Sequence, residues 1–207
     1  QIIAFSANYW GELAYDAAHT ILIPLTNPPP TATPNAQWFG PEGMTFNTGA
    51  TGVGAGGNTL ITVDNLQQGI GNTFSLVSMS TGTLSNQQIV TYPEDIAYAP
   101  VSQRFYVMAR SPNVIQAYDQ NMVALPISWA LPTKTRGMTV VSQAFGRQFT
   151  GDNTLVGDVI LVVSMENTIA IPPVVNRLSA YRADGTLIGV EQDMSWVDLS
   201  FNNATGG

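Results

Sequence analysis

A three-position element, apolar then small or polar then aromatic or Val, recurs five times along the chain. Its copies are Leu13-Ala14-Tyr15, Met44-Thr45-Phe46, Ile96-Ala97-Tyr98, Met138-Thr139-Val140 and Leu199-Ser200-Phe201, spaced by 31, 52, 42 and 61 residues. A repeat of this period constrains the fold more than any single residue, because each unit must bury its apolar faces against its neighbours. The rest of the unit recurs in the same order. A second β-rich run follows each of the first four copies, at Thr20 to Leu25, Thr59 to Asp64, Phe105 to Arg110 and Val159 to Ser164. Three units then carry an Asn followed by period-2 alternation: Asn72 to Val77, Asn113 to Tyr118 and Asn176 to Tyr181. Asn suits a tight turn because its side chain bonds nearby backbone and tolerates left-handed φ. Turn-rich segments at 80–84, 120–125 and 183–187 lead into a fourth strand, and Asp184-Gly185 is the clearest hairpin signal.

Three or four short antiparallel strands per unit, with helical periodicity nowhere held beyond about two turns, predict an all-β fold. Units of this size predict a β-propeller, or a propeller segment, of four to five recognisable blades. The units fall near 9–40, 41–92, 93–135 and 136–194, with 1–8 and 195–207 as incomplete end strands of a single domain. Ile2 to Phe5 reads as an outer strand and Trp196 to Phe201 as an inner one, so the two ends are expected to share a blade. The chain opens at Gln1 rather than Met, and with its incomplete ends it reads as a piece of a longer protein.

Composition narrows the function classes. The 207 residues include no Cys, one His, and 7 basic against 14 acidic side chains, for a net charge of −7. Six Arg and the single Lys134 are scattered, so no basic stripe exists to neutralise a phosphate backbone, and nucleic acid is not an expected partner. Apolar runs such as Val159 to Val163 fall far short of the roughly 20 residues that span a bilayer, so no membrane span is expected. Only 10% of residues are charged. Solubility resting on Thr, Asn, Gln, Ser and Gly points to an extracellular, cell-surface or virion setting. Nucleophilic catalysis lacks its parts: His19 sits at a hairpin turn, and neither a cysteine nor a Gly-x-Ser-x-Gly elbow occurs. The Cys and His clusters of a zinc site are missing as well.

The segments Pro41-Glu42-Gly43-Met44-Thr45-Phe46 and Pro93-Glu94-Asp95-Ile96-Ala97-Tyr98 each lead into a strand, an Asn and a further strand. They resemble blades of the NHL and gluconolactonase-like propeller superfamily over roughly residues 41–190. The gluconolactonase kind holds a divalent ion in the central channel on carboxylates and amides near the starts of inner strands. The resemblance therefore implies Glu42 as a metal ligand, with Glu94 in the equivalent place one unit on and calcium as the ion. Met44 departs from the family, which tends to Pro there. Arg136 takes the same place in the next unit, and Glu12, Asp95 and Asp198 fall one residue later, so charges are expected to converge at a channel mouth. The bland alternative is a set of polar strand starts, with Arg136 pairing a carboxylate.

Other acidic groups carry less. Glu94 and Asp95 are adjacent on a strand and face opposite sides, so they cannot flank one glycosidic bond; Glu191 and Asp193 read as a solvated edge. Gly151 to Thr154 with Asp158 lacks EF-hand spacing and reads as a polar turn. Trp10, Trp38, Trp129 and Trp196 lie near unit boundaries and are expected in packing between units, and Tyr118 and Tyr181 are expected to be structural. The Gly49–Gly57 segment holds five glycines in nine positions and reads as a flexible connection or a close backbone approach, and Ser142–Gly157 as a loop excursion.

Two functions stand against each other. One is a non-catalytic structural or adhesive module that binds protein or glycan through rim loops, with homo-oligomerisation or strand addition at residues 196–201 as a route to assembly. The other is a calcium-dependent lactonase or phosphoesterase-like hydrolase using Glu42 and Glu94.

Overall fold

The computed structural model describes residues 2–6, 9–15, 22–24, 41–57, 59–64, 73–78, 84–88, 92–110, 112–131, 134–166, 175–188 and 192–194. The chain is all-β apart from short helical pieces. Among the described residues there are fifteen strands in four antiparallel sheets, one of three strands and three of four. The first joins β1 (Ile2–Ser6), β2 (Tyr9–Tyr15) and β3 (Leu22–Pro24) in that order. The second joins β4 (Pro41–Phe46), β5 (Thr59–Asp64), β6 (Thr73–Ser78) and β7 (Leu84–Gln88). The third joins β8 (Pro93–Ala99), β9 (Arg104–Arg110), β10 (Asn113–Tyr118) and β11 (Ala124–Ala130). The fourth joins β12 (Lys134–Val141), β13 (Val159–Glu166), β14 (Val175–Arg182) and β15 (Gln192–Met194). Each four-stranded sheet is thus a simple meander over one sequence unit.

The sheets stack because their strands are apolar on both faces. In β9, Phe105 and Val107 enter one core with Ile61, Val63 and Phe74 of the sheet before. Tyr106 and Met108 point the other way, into a core with Met138, Val140, Ile160 and Val162 of the sheet after. Successive side chains of a strand alternate between faces, so an unbroken run such as Phe105-Tyr106-Val107-Met108 serves two interfaces at once. Each of these side chains is fully buried, which stabilises the fold by about 1.5–3 kcal/mol apiece. Trp129 on β11 reaches across the second interface, its ring 5.9 Å from Tyr106 and 6.0 Å from Tyr181 on β14. Packing between units is the role expected of it. Tyr118 and Tyr181 are buried in the two cores, as expected. The side chain of Trp10 and all of Trp38 and Trp196 lie outside the described residues.

The first strands form the seam of the stack: β4 lies beside β8 and β8 beside β12. Side chains bridge them. Tyr98 N donates to Thr45 Oγ1 at 3.1 Å, and Met138 N donates to Asp95 Oδ2 at 2.7 Å. Equivalent positions meet, so the three strands run in the same direction. At one repeat position Ile96 and Met138 are 1% and 3% exposed under the preceding sheet, whereas Met44 is 44% exposed on the first of the four-stranded sheets.

One expectation lies partly outside the described residues and another differs from the structure. Ile2–Ser6, at the edge of its sheet, pairs with β2 from Ile2↔Leu13 to Ser6↔Tyr9, whereas the Trp196 to Phe201 strand expected to share its blade lies outside the described residues. Only two residues separate the strands, and a link that short closes an antiparallel hairpin. The Ser142–Gly157 segment is not simply a loop, since Gln143–Thr150 forms a helix, α1. Ser142 caps it by accepting from Phe145 N at 3.3 Å, and Gly151 ends it in the left-handed region at φ 73°. Phe145 and Phe149, one turn apart, pack in a cluster with Leu155 of the same connection and with Val141, Val159 and Leu161 on the face of the last sheet turned away from β8–β11. Among the described residues no helix is long and apolar enough to cross a membrane.

Candidate functional site

The residues singled out at the strand starts share one backbone feature. Each first strand is bulged at its head: the register skips between Pro41 and Gly43, between Pro93 and Asp95, and between Thr135 and Gly137. The extra residues are Glu42, Glu94 and Arg136. A bulge leaves one residue out of the ladder and re-aims its side chain, and bulges concentrate beside functional sites. These three residues therefore occupy one repeated backbone position at one end of three neighbouring strands. Glu94 is buried, at 7% exposure. The side chains of Glu42 and Arg136 lie outside the described set, as does that of Glu12 on β2, and Asp198 lies wholly outside the described residues.

Asp95 is brought to this place too, in a specific structural task. Its Oδ1 accepts from Ile96 N at 2.8 Å while Oδ2 takes Met138 N, so one carboxylate ties β8 to β12. On its other side the chain leaves no room: a Cβ at Gly43 would overlap Asp95 Oδ1 and lie 2.5 Å from Asp95 Cα. Gly43 is thus the residue that lets β4 and β8 close on each other. Among the described residues no group of three or more acidic, His or Cys side chains is placed to hold a metal.

The opposite end of the strands carries 47–57 between β4 and β5, the 100–103 turn, the helix-bearing 142–158 segment, and the turns at 119–123 and 183–187. Side-chain acceptors fix them. Asp158, buried just before β13, accepts from Val101 N at 3.2 Å and Ser102 N at 2.7 Å in the neighbouring unit. Asp119 Oδ1 accepts from Asn121 N and Val123 N, and Asp184 Oδ1 from Thr186 N. Asp152 accepts from both the backbone and hydroxyl of Thr154 and pairs with Arg182 at 3.3 Å. The Thr154 bonds and Arg182 hold the Asp152 carboxyl below the usual range, and the Thr186 bonds do the same for Asp184. The Gly151–Thr154 turn and Asp158 therefore act as internal clamps, in line with the polar-turn reading.

The glycine-rich segment is equally fixed. Asn47, fully buried, donates from Nδ2 to Thr51 O and Val53 O and accepts from Gly49 N. Val53 N donates to Gln120 O at 2.7 Å, and a Cβ at Gly52 (φ 92°) would overlap Gln120. Of the two readings of this segment, close backbone approach is the one the structure supports. Sequence reasoning missed the clamps Asn47 and Asp119, and it placed Asp158 in a polar turn without its partners in the neighbouring unit; an Asp two to four residues before the amide it caps is a readable signal for Asp119 alone. Burial raises the hydroxyl pKa of Tyr98 and of Tyr106, and Asp158 adds to both shifts.

What these clamped turns present is apolar. Val101, Val123, Val156 and Leu187 are 70%, 60%, 72% and 49% exposed, and all four lie at this end of the strands.

Against known proteins, no family model and no curated protein matches the chain. Among solved structures it is similar to hydrazine synthase of Kuenenia stuttgartiensis, at 14% identity and a TM-score of 0.51, over 75% of this chain and 36% of that one. It also aligns with a 6-phosphogluconolactonase-like protein of Bacteroides uniformis ATCC 8492, at 11% identity and a TM-score of 0.46, over 93% of this chain and 56% of that one. The chain thus spans well under two thirds of either protein, and its likeness to the first is one of β-rich fold.

Proposed function

We propose that the chain is a β-propeller or propeller segment serving as a non-catalytic structural or adhesive module, displayed outside the cell or on a particle surface, which engages protein or glycan through its rim loops. The propeller reading draws on three successive four-stranded meanders whose first strands run side by side in one direction. The single observation that carries the binding role is the loop end. Four exposed aliphatic side chains stand on turns whose backbone is already pinned, so little conformational entropy is lost when a partner closes over them.

One observation favours a second reading, a calcium-dependent lactonase or phosphoesterase-like hydrolase. It is the repeated bulge that sets Glu42 and Glu94 at equivalent backbone positions on neighbouring strands. A single experiment separates the two. Thermal unfolding is measured in excess calcium and then in chelator, for the native chain and for Glu42→Gln and Glu94→Gln. A ligand that binds only the folded state raises stability by mass action. The structural reading expects coincident curves and no hydrolysis of lactones or phosphoesters. A calcium-dependent rise of several degrees that vanishes in either variant, with hydrolysis in the native chain, overturns it in favour of the enzyme.

A further inference from the structure

The first strands come in two kinds that alternate along the chain. Directly after the bulge, β4 and β12 carry Gly43-Met44-Thr45 and Gly137-Met138-Thr139, whereas β8 carries Asp95-Ile96-Ala97. The copies at either end of the chain, Glu12-Leu13-Ala14 and Asp198-Leu199-Ser200, are of the acidic kind. The three described copies hold one register, since Thr45, Ala97 and Thr139 stand opposite Ile61, Tyr106 and Leu161 of their second strands. The two seams between them show why the kinds alternate. From β4 to β8, the Asp95 carboxylate takes the room that a Cβ at Gly43 would need, and Thr45 Oγ1 accepts from Tyr98 N. From β8 to β12, Asp95 Oδ2 accepts from Met138 N. These amides belong to edge strands of their sheets, so when buried they need such acceptors. Two acidic strands side by side press like charges together. Two glycine strands side by side leave the Met amide without its carboxylate.

β8 lies between two first strands, β4 and β12, whereas among the described residues β8 is the first strand that lies along β12. The other flank of β12 is of the glycine kind, with Gly137 buried and Thr139 half-buried. The sheet face beside it is apolar at the same level: Val163, opposite Gly137, and Leu178, opposite Val163, are 0% and 5% exposed. One unit earlier Met108 and Ile115 hold those places and pack with Met138 of the following first strand. We infer that this flank of β12 is a docking edge for residues 198–201 of the same chain, which lie outside the described residues. In that seat Asp198 takes the room at Gly137, Leu199 covers Val163 and Leu178 as Met138 covers Met108 and Ile115, and Thr139 Oγ1 accepts from Phe201 N. The other acidic copy does not compete, because β2 is paired on both sides by β1 and β3 and offers no edge. Asp198 is thereby a positioning residue of the seam rather than a charge at a channel mouth. The inference rests on the propeller reading of the stack and names the strand that continues it.

The test is amide hydrogen exchange on the whole chain, read at Phe201 N and Tyr98 N at two protein concentrations. Both amides are expected to be protected in the native chain, equally at either concentration. Thr139→Val is expected to speed exchange at Phe201 N roughly tenfold, as loss of one hydrogen bond does, and to leave Tyr98 N unchanged. Thr45→Val is the control on the described seam and is expected to do the converse. A second measurement reads the space at Gly137. Gly137→Ala and Asp198→Ala are each expected to lower the melting temperature by several degrees, and Gly137→Ala to cost less in the Asp198→Ala background, because the effects of touching residues do not add. A Phe201 amide that exchanges freely, or one indifferent to Thr139→Val, overturns the inference. So do thermal effects that simply add, and protection that grows with concentration, which assigns the flank to a second copy. If Thr45→Val still acts on Tyr98 N in those cases, the stack stands and only its continuation falls. The choice between module and enzyme is untouched, since the calcium experiment decides it separately.

Discussion

The two ends of the same strands solve opposite problems. At the loop end the backbones of the connections are fixed one by one by side-chain hydrogen bonds, with Asp158 and Asn47 buried for the purpose. At the bulge end the strands converge, and what fixes them is close approach: Gly43 against Asp95, and Asp95 onto Met138 N. A surface built of clamped loops can carry exposed apolar tips without collapsing onto them, which suits docking. A surface built of converging strand starts sets charged residues at one height with little space between, which suits a small ligand or none. The difference separates the two proposed readings in space: a macromolecular partner would sit at the loops, an ion at the bulges.

The largest effect that would break this comparison is expected at Asp158. Replacing it by Ala leaves two amides of the neighbouring unit without their charged acceptor, and hydrogen bonds to charged groups contribute roughly 1.5–3 kcal/mol each. Asp158→Ala is expected to cost about 3 kcal/mol in urea unfolding, and Asp158→Asn about half of that because one acceptor remains. A loss below about 1 kcal/mol means that the 100–103 turn holds itself and the loop end is not built by clamping.

Next comes Gly43, which tests the other end. Its neighbours within reach of a new Cβ include the backbone of Asp95 and Ile96 as well as the Asp95 side chain. Backbone cannot swing aside as a flexible side chain does, so Gly43→Ala is expected to cost about 2 kcal/mol through overpacking. It is also expected to separate β4 from β8 enough to speed hydrogen exchange at Tyr98 N, which Thr45 Oγ1 holds across that seam. Native-like stability and protection in Gly43→Ala would show that the first strands are less tightly joined than the loops.

Much of the architecture was legible in the sequence because strand chemistry is local. β5 and β10 have the boundaries that the sequence predicts, Thr59 to Asp64 and Asn113 to Tyr118, and β9 and β13 lie within two residues of theirs. Period-2 alternation and an Asn or Gly at each turn suffice for that. Helix α1 was not legible: two turns with only Phe145 and Phe149 as large apolar residues and a Gly between them give no sustained period. Its reason is tertiary, since Gly146 packs where a Cβ would come within 2.5 Å of Val159 Cγ2. The caps Ser142 and Gly151 were the signal available. The candidate site was legible in part. The spacing set Glu42, Glu94 and Arg136 in register, but nothing in the sequence announces a bulge, and the job of Asp95 depends on Met138, 43 residues away.

The smallest effect expected is a pH dependence confined to the loop end. Asp152 and Asp184 have folded-state pKa values below their usual values, held there chiefly by the bonds from Thr154 and Thr186. A carboxyl whose pKa is depressed on folding adds stability above its unfolded value of about 3.9 and loses it as pH falls through the folded value. Melting temperature is therefore expected to hold level from neutral pH to about 5 and to decline below about 4, with Asp152→Asn and Asp184→Asn each flattening part of that decline. Both carboxylates are near the surface, so each contribution is small and screened by salt. A decline unchanged in the double Asn variant would place the acid-sensitive groups elsewhere, and the bulge end, with its own carboxylates, would be the next to titrate.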